Sequence, residues 1–321
     1  MADRFTLSSW SMIPVAALVI LVLAGLTVPA SAMNLSISEY RGNVPAGGTI
    51  SYAILASNSW EDEPVDLLVD VDGINQKPDL QYFFVEPIKD TYTYSARKFT
   101  SVQESAIHLD RGSKKQIILT FRFPADIGDG GRYAMVVVHT LAGKNVTASD
   151  TAIPVFLTIL GSDPTVSGSI TRLAAEDVTA GHAVTVTTGY KNTGKSLQEK
   201  TVNTVTVSSE DGNVVATNST GLSGAGLLPD KSYEFTARPD IRALPAGTYT
   251  ILSRVVADRE TLDRKSMTFT ISPAPGAPSP VPTTTSAPAI PTTAAKSSLP
   301  PVLGLVALAG AIAMISLRQR S

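Results

Sequence analysis

The sequence predicts an all-β fold of two tandem β-sandwiches set between two apolar termini. Short runs of alternating apolar and polar residues recur between turn residues, and no stretch between the termini keeps a 3.6-residue period. One pattern of turns and strands occurs twice. The composition shifts abruptly after Ser272: nine of the chain's 21 prolines fall between Pro273 and Pro301. A length of 321 residues suits about two domains.

The N-terminus reads as a secretory signal over residues 1–32. Arg4 supplies the positive region, Ile13 to Leu26 is almost wholly apolar, and Ala30-Ser31-Ala32 gives the small-x-small pattern of a cleavage site. The ectodomain then runs from Met33 to Ser272. Its clearest predicted strands are Ile50 to Ala56, Val65 to Val71, Gln116 to Phe123 and Tyr133 to Thr140 in the first half. In the second half they are Val184 to Tyr190, Val202 to Val207, Thr248 to Val256 and Ser266 to Ile271. Asp72-Gly73 and Asp211-Gly212 are read as hairpin turns.

The repeat is carried by named residues. Val44-Pro45-Ala46-Gly47 matches Val178-Thr179-Ala180-Gly181, and an asparagine, Asn58 or Asn192, stands eleven residues after each glycine. A late Gly-x-Tyr follows in each copy, Gly131-Arg132-Tyr133 and Gly247-Thr248-Tyr249. Tyr133 lies 86 residues after Gly47, and Tyr249 lies 68 after Gly181, so the first copy carries an insertion of about 18 residues within Gln76 to Gly112. The boundary between the copies falls at Gly161-Ser162-Asp163-Pro164, which gives sandwiches over 33–161 and 162–272. Immunoglobulin-like domains place a tyrosine at the start of a late strand and tie its hydroxyl to backbone, so both copies are expected to be of that type.

Residues 273–299 form a Pro/Thr-rich stalk, with Thr283, Thr284, Thr285, Thr292 and Thr293 among the prolines. Such a segment cannot bury a core and is expected to be extended, of the kind that carries O-glycans. Residues 300–317 are expected to be a transmembrane helix and 318–321 a cytoplasmic tail, because Arg318 and Arg320 close the chain on the positive-inside side.

A second resemblance lies in the first copy. His108-Leu109-Asp110-Arg111-Gly112-Ser113-Lys114-Lys115-Gln116-Ile117-Ile118-Leu119-Thr120 runs into Phe123-Pro124 and then Gly130-Gly131. That order of turn, alternating strand, proline and Gly-Gly turn resembles the first immunoglobulin-like domain of the WxL-interacting cell-surface proteins of Gram-positive bacteria; pilus chaperones have a similar first domain. The resemblance implies wall association and a C-terminal helical anchor. The stalk and terminal helix resemble those of archaeal surface proteins, some of which are trimmed by an archaeosortase. Pro300-Pro301-Val302-Leu303-Gly304 stands where that family carries Pro-Gly-Phe.

No catalytic constellation is read in the chain. Gly221-Leu222-Ser223-Gly224-Ala225 misses the nucleophile-elbow pattern at its last position, and Ser95-Ala96-Arg97-Lys98 fits S-x-x-K without that chemistry's companion motifs. Gly224-Ala225-Gly226 lacks a third glycine for a dinucleotide site, and there is no P-loop. The chain has no cysteine, and His108, His139 and His182 stand apart, so no metal or cofactor is expected. Asp126-Ile127-Gly128-Asp129 reads as a polar turn rather than half a calcium loop. With 26 Lys+Arg against 28 Asp+Glu, the charge is too balanced for a nucleic-acid partner. Asn34, Asn145 and Asn218 head N-glycosylation sequons, expected on surface loops.

The insertion is the candidate partner-binding site. Tyr82, Phe83, Phe84, Tyr92, Tyr94 and Phe99 concentrate there six of the chain's 18 Phe and Tyr, beside Lys89, Arg97 and Lys98. Such residues either pack an extra hairpin on the sandwich or form an exposed patch for a glycan or protein. The expected function is therefore non-enzymatic: a single-pass cell-surface protein whose two domains bind an envelope component, an adhesion partner or a glycan. The alternative is a structural subunit of the envelope or S-layer that acts as scaffold or spacer.

Overall fold

The computed structural model describes residues 33–143, 146–161 and 165–276. The expected signal segment, membrane helix and tail, most of the stalk and the sequon at Asn145 lie outside the described residues. Among the described residues no helix is long and apolar enough to cross a membrane. The described residues are nearly all β, and the helical content among them is one 3-10 turn at Arg97–Phe99.

The first sandwich contains β1 (Asn34–Leu35), β2 (Tyr40–Pro45), β3 (Thr49–Ser57), β4 (Val65–Gln76), β5 (Tyr82–Val85), β6 (Thr100–Val102), β7 (Ala106–Leu109), β8 (Lys114–Arg122), β9 (Gly131–Thr140) and β10 (Ser149–Leu160). Its sheets run β1-β3-β8-β6 and β2-β10-β9-β4-β5, with β7 also on β4. The second contains β11 (Gly168–Ala175), β12 (Val178–Thr179), β13 (Val186–Asn192), β14 (Thr201–Ser208), β15 (Val214–Gly221), β16 (Ser232–Ala237), β17 (Gly247–Ala257) and β18 (Glu260–Ser272). Its sheets run β11-β13-β16 and β12-β18-β17-β14-β15. The two follow the same immunoglobulin-like plan. In each, the opening strand pairs first in one sheet and then crosses to lie parallel to the last strand of the other.

Period-2 alternation fixes the inner faces. Ile54, Ile117, Leu119, Phe121, Val136 and Val138 fill the first core, and Val184, Val186, Val205, Val207, Ile251 and Phe269 the second. Between the apolar ends of the second sandwich sits a closed polar triad. Ser253 Oγ donates to Asn203 Oδ1 at 2.7 Å, Asn203 Nδ2 donates to Thr188 Oγ1 at 3.2 Å, and the two hydroxyls lie 3.0 Å apart. All three residues are fully buried, and the mutual bonds offset the desolvation such groups would otherwise suffer.

The repeated asparagines occupy equivalent places. The Asn58 amide donates to Ser113 O and the Asn192 amide to Lys231 O, each tying its strand end to the approach of the neighbouring strand. Their side chains reach Leu109 O and Leu227 O respectively.

Two turn and strand assignments need correction. Asp211-Gly212 is a turn, with Gly212 at φ +82°. Asp72-Gly73 is not: both residues lie inside β4, which runs on to Gln76. Gly73 serves there for close approach, since a Cβ would overlap the Asp90 side chain. The second correction concerns Gly-x-Tyr. Val44 pairs with Ile159 and Val178 with Ile271, which makes Leu157 equivalent to Phe269. Arg132 pairs with Leu157, whereas Tyr249 pairs with Phe269. Arg132 is thus the register counterpart of Tyr249, and Tyr133 is one residue out of phase. A one-residue offset turns a side chain to the opposite face of the sheet. Tyr249 accordingly lies in the core and Tyr133 outside it.

Candidate functional site

β4 overruns its sheet, turns at Lys77–Gln81 and returns as β5. The turn is closed by Lys77 N–H to Gln81 O at 2.9 Å and Leu80 N–H to Lys77 O at 3.0 Å. Leu80, at its tip, has φ +71°, a conformation that disfavours residues other than glycine. Its side chain explains why it is tolerated. Leu80 is 1% exposed and packs in the second sandwich's core with Ile170, Tyr190, Leu227, Phe235 and Val255. Burial of a leucine contributes ~1.5–3 kcal/mol, comparable to or larger than the local strain.

The root of the hairpin is bonded across the same junction. Gln76 Nε2 donates to Gly226 O at 2.7 Å, and its Oε1 accepts from Leu228 N–H at 3.1 Å, so one carboxamide pairs with the backbone of the second sandwich like a short strand. Tyr82 donates its hydroxyl to Gly226 O at 2.7 Å, and Tyr92 donates to Pro229 O at 2.9 Å. Gly131 N–H donates to Lys195 O at 2.8 Å. Arg41, held by Glu39 at 2.6 Å, also pairs with Glu199 at 2.6 Å and lies 4.9 Å from the Phe156 ring centroid.

Ile74, Tyr133, Met135, Val137, Phe156 and Leu228 form a buried apolar cluster between the sandwiches. β9 therefore has apolar cover on both faces, and every residue in it but His139 is buried. Burial raises the pKa of Tyr82, Tyr92 and Tyr133 well above the ordinary tyrosine value; neighbouring Tyr133 adds to the effect at Tyr92. The hydroxyls of Tyr82 and Tyr92 accordingly stay protonated, as donors to carbonyl oxygens must.

The predicted partner-binding residues divide into three groups. Tyr82 and Tyr92 face the junction, and Tyr94 meets Tyr92 edge-on at 5.7 Å. Arg97 turns to Asp90 at 3.2 Å, where Ser95 Oγ also donates at 2.5 Å. Phe83 and Phe84 remain exposed at 37% and 39% on β5, which ends its sheet, and Ile88 just beyond is 91% exposed. Lys89, paired with Glu86 at 2.8 Å, and Lys98 are exposed too. A cavity of about 200 Å³ opens beside this segment, lined by Ile74, Asn75, Val85, Lys89, Asp90, Thr91, Tyr92, Thr93 and Lys231. Gln76, Leu80, Gly226, Leu228 and Lys231 were not legible as site residues, since no motif marks a contact between segments about 150 positions apart.

The other chemical candidates have structural surroundings. His108 Nδ1 lies 2.7 Å from Asp66 and its Nε2 3.4 Å from Asp110. His139 lies 2.8 Å from Asp150 and 3.5 Å from Asp70. His182 is exposed beside Thr179 O at 3.2 Å. Among the described residues no three metal-ligating side chains converge. The Asp126–Asp129 turn is organised by Arg132, whose guanidinium donates to the carbonyls of Ile127, Gly128, Asp129 and Gly131. Tyr249 makes the corresponding bond in the second sandwich, to Pro245 O at 2.9 Å. Of the described sequons, Asn34 lies in β1 and Asn218 in β15 rather than in loops.

No family model matches the chain, and no curated protein matches it. Among solved structures it is similar to a chain of the chaperone–tip adhesin complex of CFA/I fimbriae biogenesis, with 12% identity over 76% of this chain and 100% of that one, at a TM-score of 0.41. It is similar also to the class 5 fimbriae chaperone CfaA, with 13% identity over the same shares, at a TM-score of 0.40. A third is the chaperone–tip adhesion subunit pre-assembly complex of the archaic Csu pili of Acinetobacter baumannii, with 11% identity over 76% of this chain and 100% of that one, at a TM-score of 0.37.

Proposed function

We propose that this chain is a non-enzymatic, membrane-anchored cell-surface protein whose two sandwiches act as one body to bind an envelope component. The signal segment, the Pro/Thr stalk and the apolar C-terminus supply its placement, with the stalk as a spacer that clears the surface layer. The sequons supply glycosylation. The resemblances to wall-associated and archaeal stalked proteins favour an envelope setting.

One observation carries the binding role. The insertion has two faces: its tyrosine hydroxyls and Leu80 lock onto the second sandwich, while Phe83, Phe84 and Ile88 stay exposed on and beside an edge strand. Large apolar side chains grouped on an edge are a contact surface, and an edge strand offers unpaired backbone groups to a partner.

Retention of fractionated envelope material by the full chain tests this. Phe83→Ser with Ile88→Ser is the informative variant, because deleting the insertion would also remove the junction. Retention by the parent and its loss in the variant, with unchanged melting, is the expected result. Equal retention by both would place the contact elsewhere, and no retention by either would favour the scaffold reading.

A further inference from the structure

The cavity beside the insertion is lined by a lysine that makes no ion pair among the described residues. Lys231, from the second sandwich, is half-buried with its Nζ 5.1 Å from the Tyr92 ring centroid. No carboxylate among the described residues lies within 4 Å of it. Asp230 next to it is paired with Lys191 at 3.4 Å instead. Burial lowers the Lys231 pKa; the neighbouring Asp230 charge opposes that in part, and Lys191 adds to it. Asp90 in the wall is already occupied: Oδ1 accepts from Tyr92 N–H, and Oδ2 from Ser95 and Arg97.

Lys89, from the first sandwich, also lines the cavity, and its ion pair among the described residues is an exposed one with Glu86 in its own turn. Such a pair is weak and easily exchanged. The rest of the lining is neutral and mixed. Thr91 and Thr93 offer hydroxyls, and Asn75, whose Oδ1 is taken by Gln76 N–H, has its NH2 left to donate. Ile74 and Val85 offer an apolar side. The volume of about 200 Å³ is below the ~300 Å³ at which pockets for drug-sized ligands begin, so it suits one ring-sized group.

We infer that this cavity binds a single carboxylate-bearing sugar residue, its carboxylate between Lys231 and Lys89, its hydroxyls on Thr91, Thr93 and Asn75, and its C–H face on Ile74 and Val85. The neutral polar lining favours a sugar over a bare anion, because a sugar's hydroxyls can pair with groups that a bare anion leaves to water. The inference deepens the envelope-binding role and rests on it for the source of the ligand.

Calorimetric titration of the full chain in detergent with sodium glucuronate tests it, with glucose, inorganic phosphate and N-acetylalanine as the other arms. Glucuronate is expected to saturate one site, and each other compound to bind at least about tenfold more weakly. Lys231→Met should weaken glucuronate at least about tenfold with unchanged melting. Thr93→Val, which keeps the charge, should weaken it several-fold. No binding of glucuronate, equal binding of glucose, phosphate or N-acetylalanine, or an unaffected Lys231→Met protein would each overturn the inference. Glucuronate binding without envelope retention would overturn the proposed function and leave this site standing. Envelope retention without glucuronate binding would overturn this site alone.

Discussion

The hydroxyl of Tyr82 donates to the backbone carbonyl of Gly226 at 2.7 Å, joining residues 144 positions apart. Gly226 O also accepts from Gln76 Nε2, and Tyr92 reaches Pro229 O nearby, so one short loop of the second sandwich receives three side chains of the first. An insertion that could have been a surface ornament is thus a brace between domains.

Tyr92→Phe should destabilise the protein by ~1 kcal/mol, because it removes a donor and leaves Pro229 O without it in a half-buried site. Tyr94→Phe, whose hydroxyl makes no hydrogen bond among the described residues, should change stability by much less. Urea denaturation of the three proteins side by side checks the difference.

Leu80→Ala should cost ~2–5 kcal/mol, the range for emptying a leucine site in a core. Leu80→Gly should cost less than its smaller side chain alone implies, since glycine relieves the left-handed backbone at φ +71°. Thermal or denaturant melting of both variants measures the two effects against each other.

Arg132 and Tyr249 perform one task with different chemistry: each caps the turn before a late strand from the same register position. Arg132→Met would deprive four carbonyls of their donor and is expected to cost more than Tyr249→Phe, which removes one bond worth ~1 kcal/mol. Equal losses in the two variants would show that the turn carbonyls find water instead.

His108 is held above the ordinary histidine pKa, first by its hydrogen bond to Asp66 and then by that residue's charge and by Asp110. A folded pKa above the unfolded one gives stability that is fully present below about pH 6.5 and is lost as pH rises through the folded value. An NMR titration should place the His108 midpoint above 6.5. Asp66→Asn should bring it down.

The strands with strong alternation were legible because burial on one face imposes a period of two: Ile50 to Ala56 lies within β3 and Val202 to Val207 within β14. β1, β2, β5, β6, β7, β11, β12, β15 and β16 are not among the clearest predicted strands, being short or, like Val214–Gly221, mostly exposed and poor in apolar signal. Asp72-Gly73 was misread since glycine marks close approach as well as positive φ, and only the neighbouring Asp90 distinguishes the two. The aromatic content of the insertion was evident from composition. Where its hydroxyls go was not, because their acceptors are backbone carbonyls, which every residue carries. The out-of-phase Tyr133 shows the same limit: a shared Gly-x-Tyr spelling does not fix register, and register decides the face.

Backbone hydrogen exchange on the full chain, with and without Leu80→Ala, tests most directly whether the insertion completes the second sandwich. Fusion through Leu80 predicts that amides of β13 and β16 lose protection in the variant, while those of β3 and β8 keep theirs. Unchanged protection throughout the second sandwich would show that its core is complete without the first.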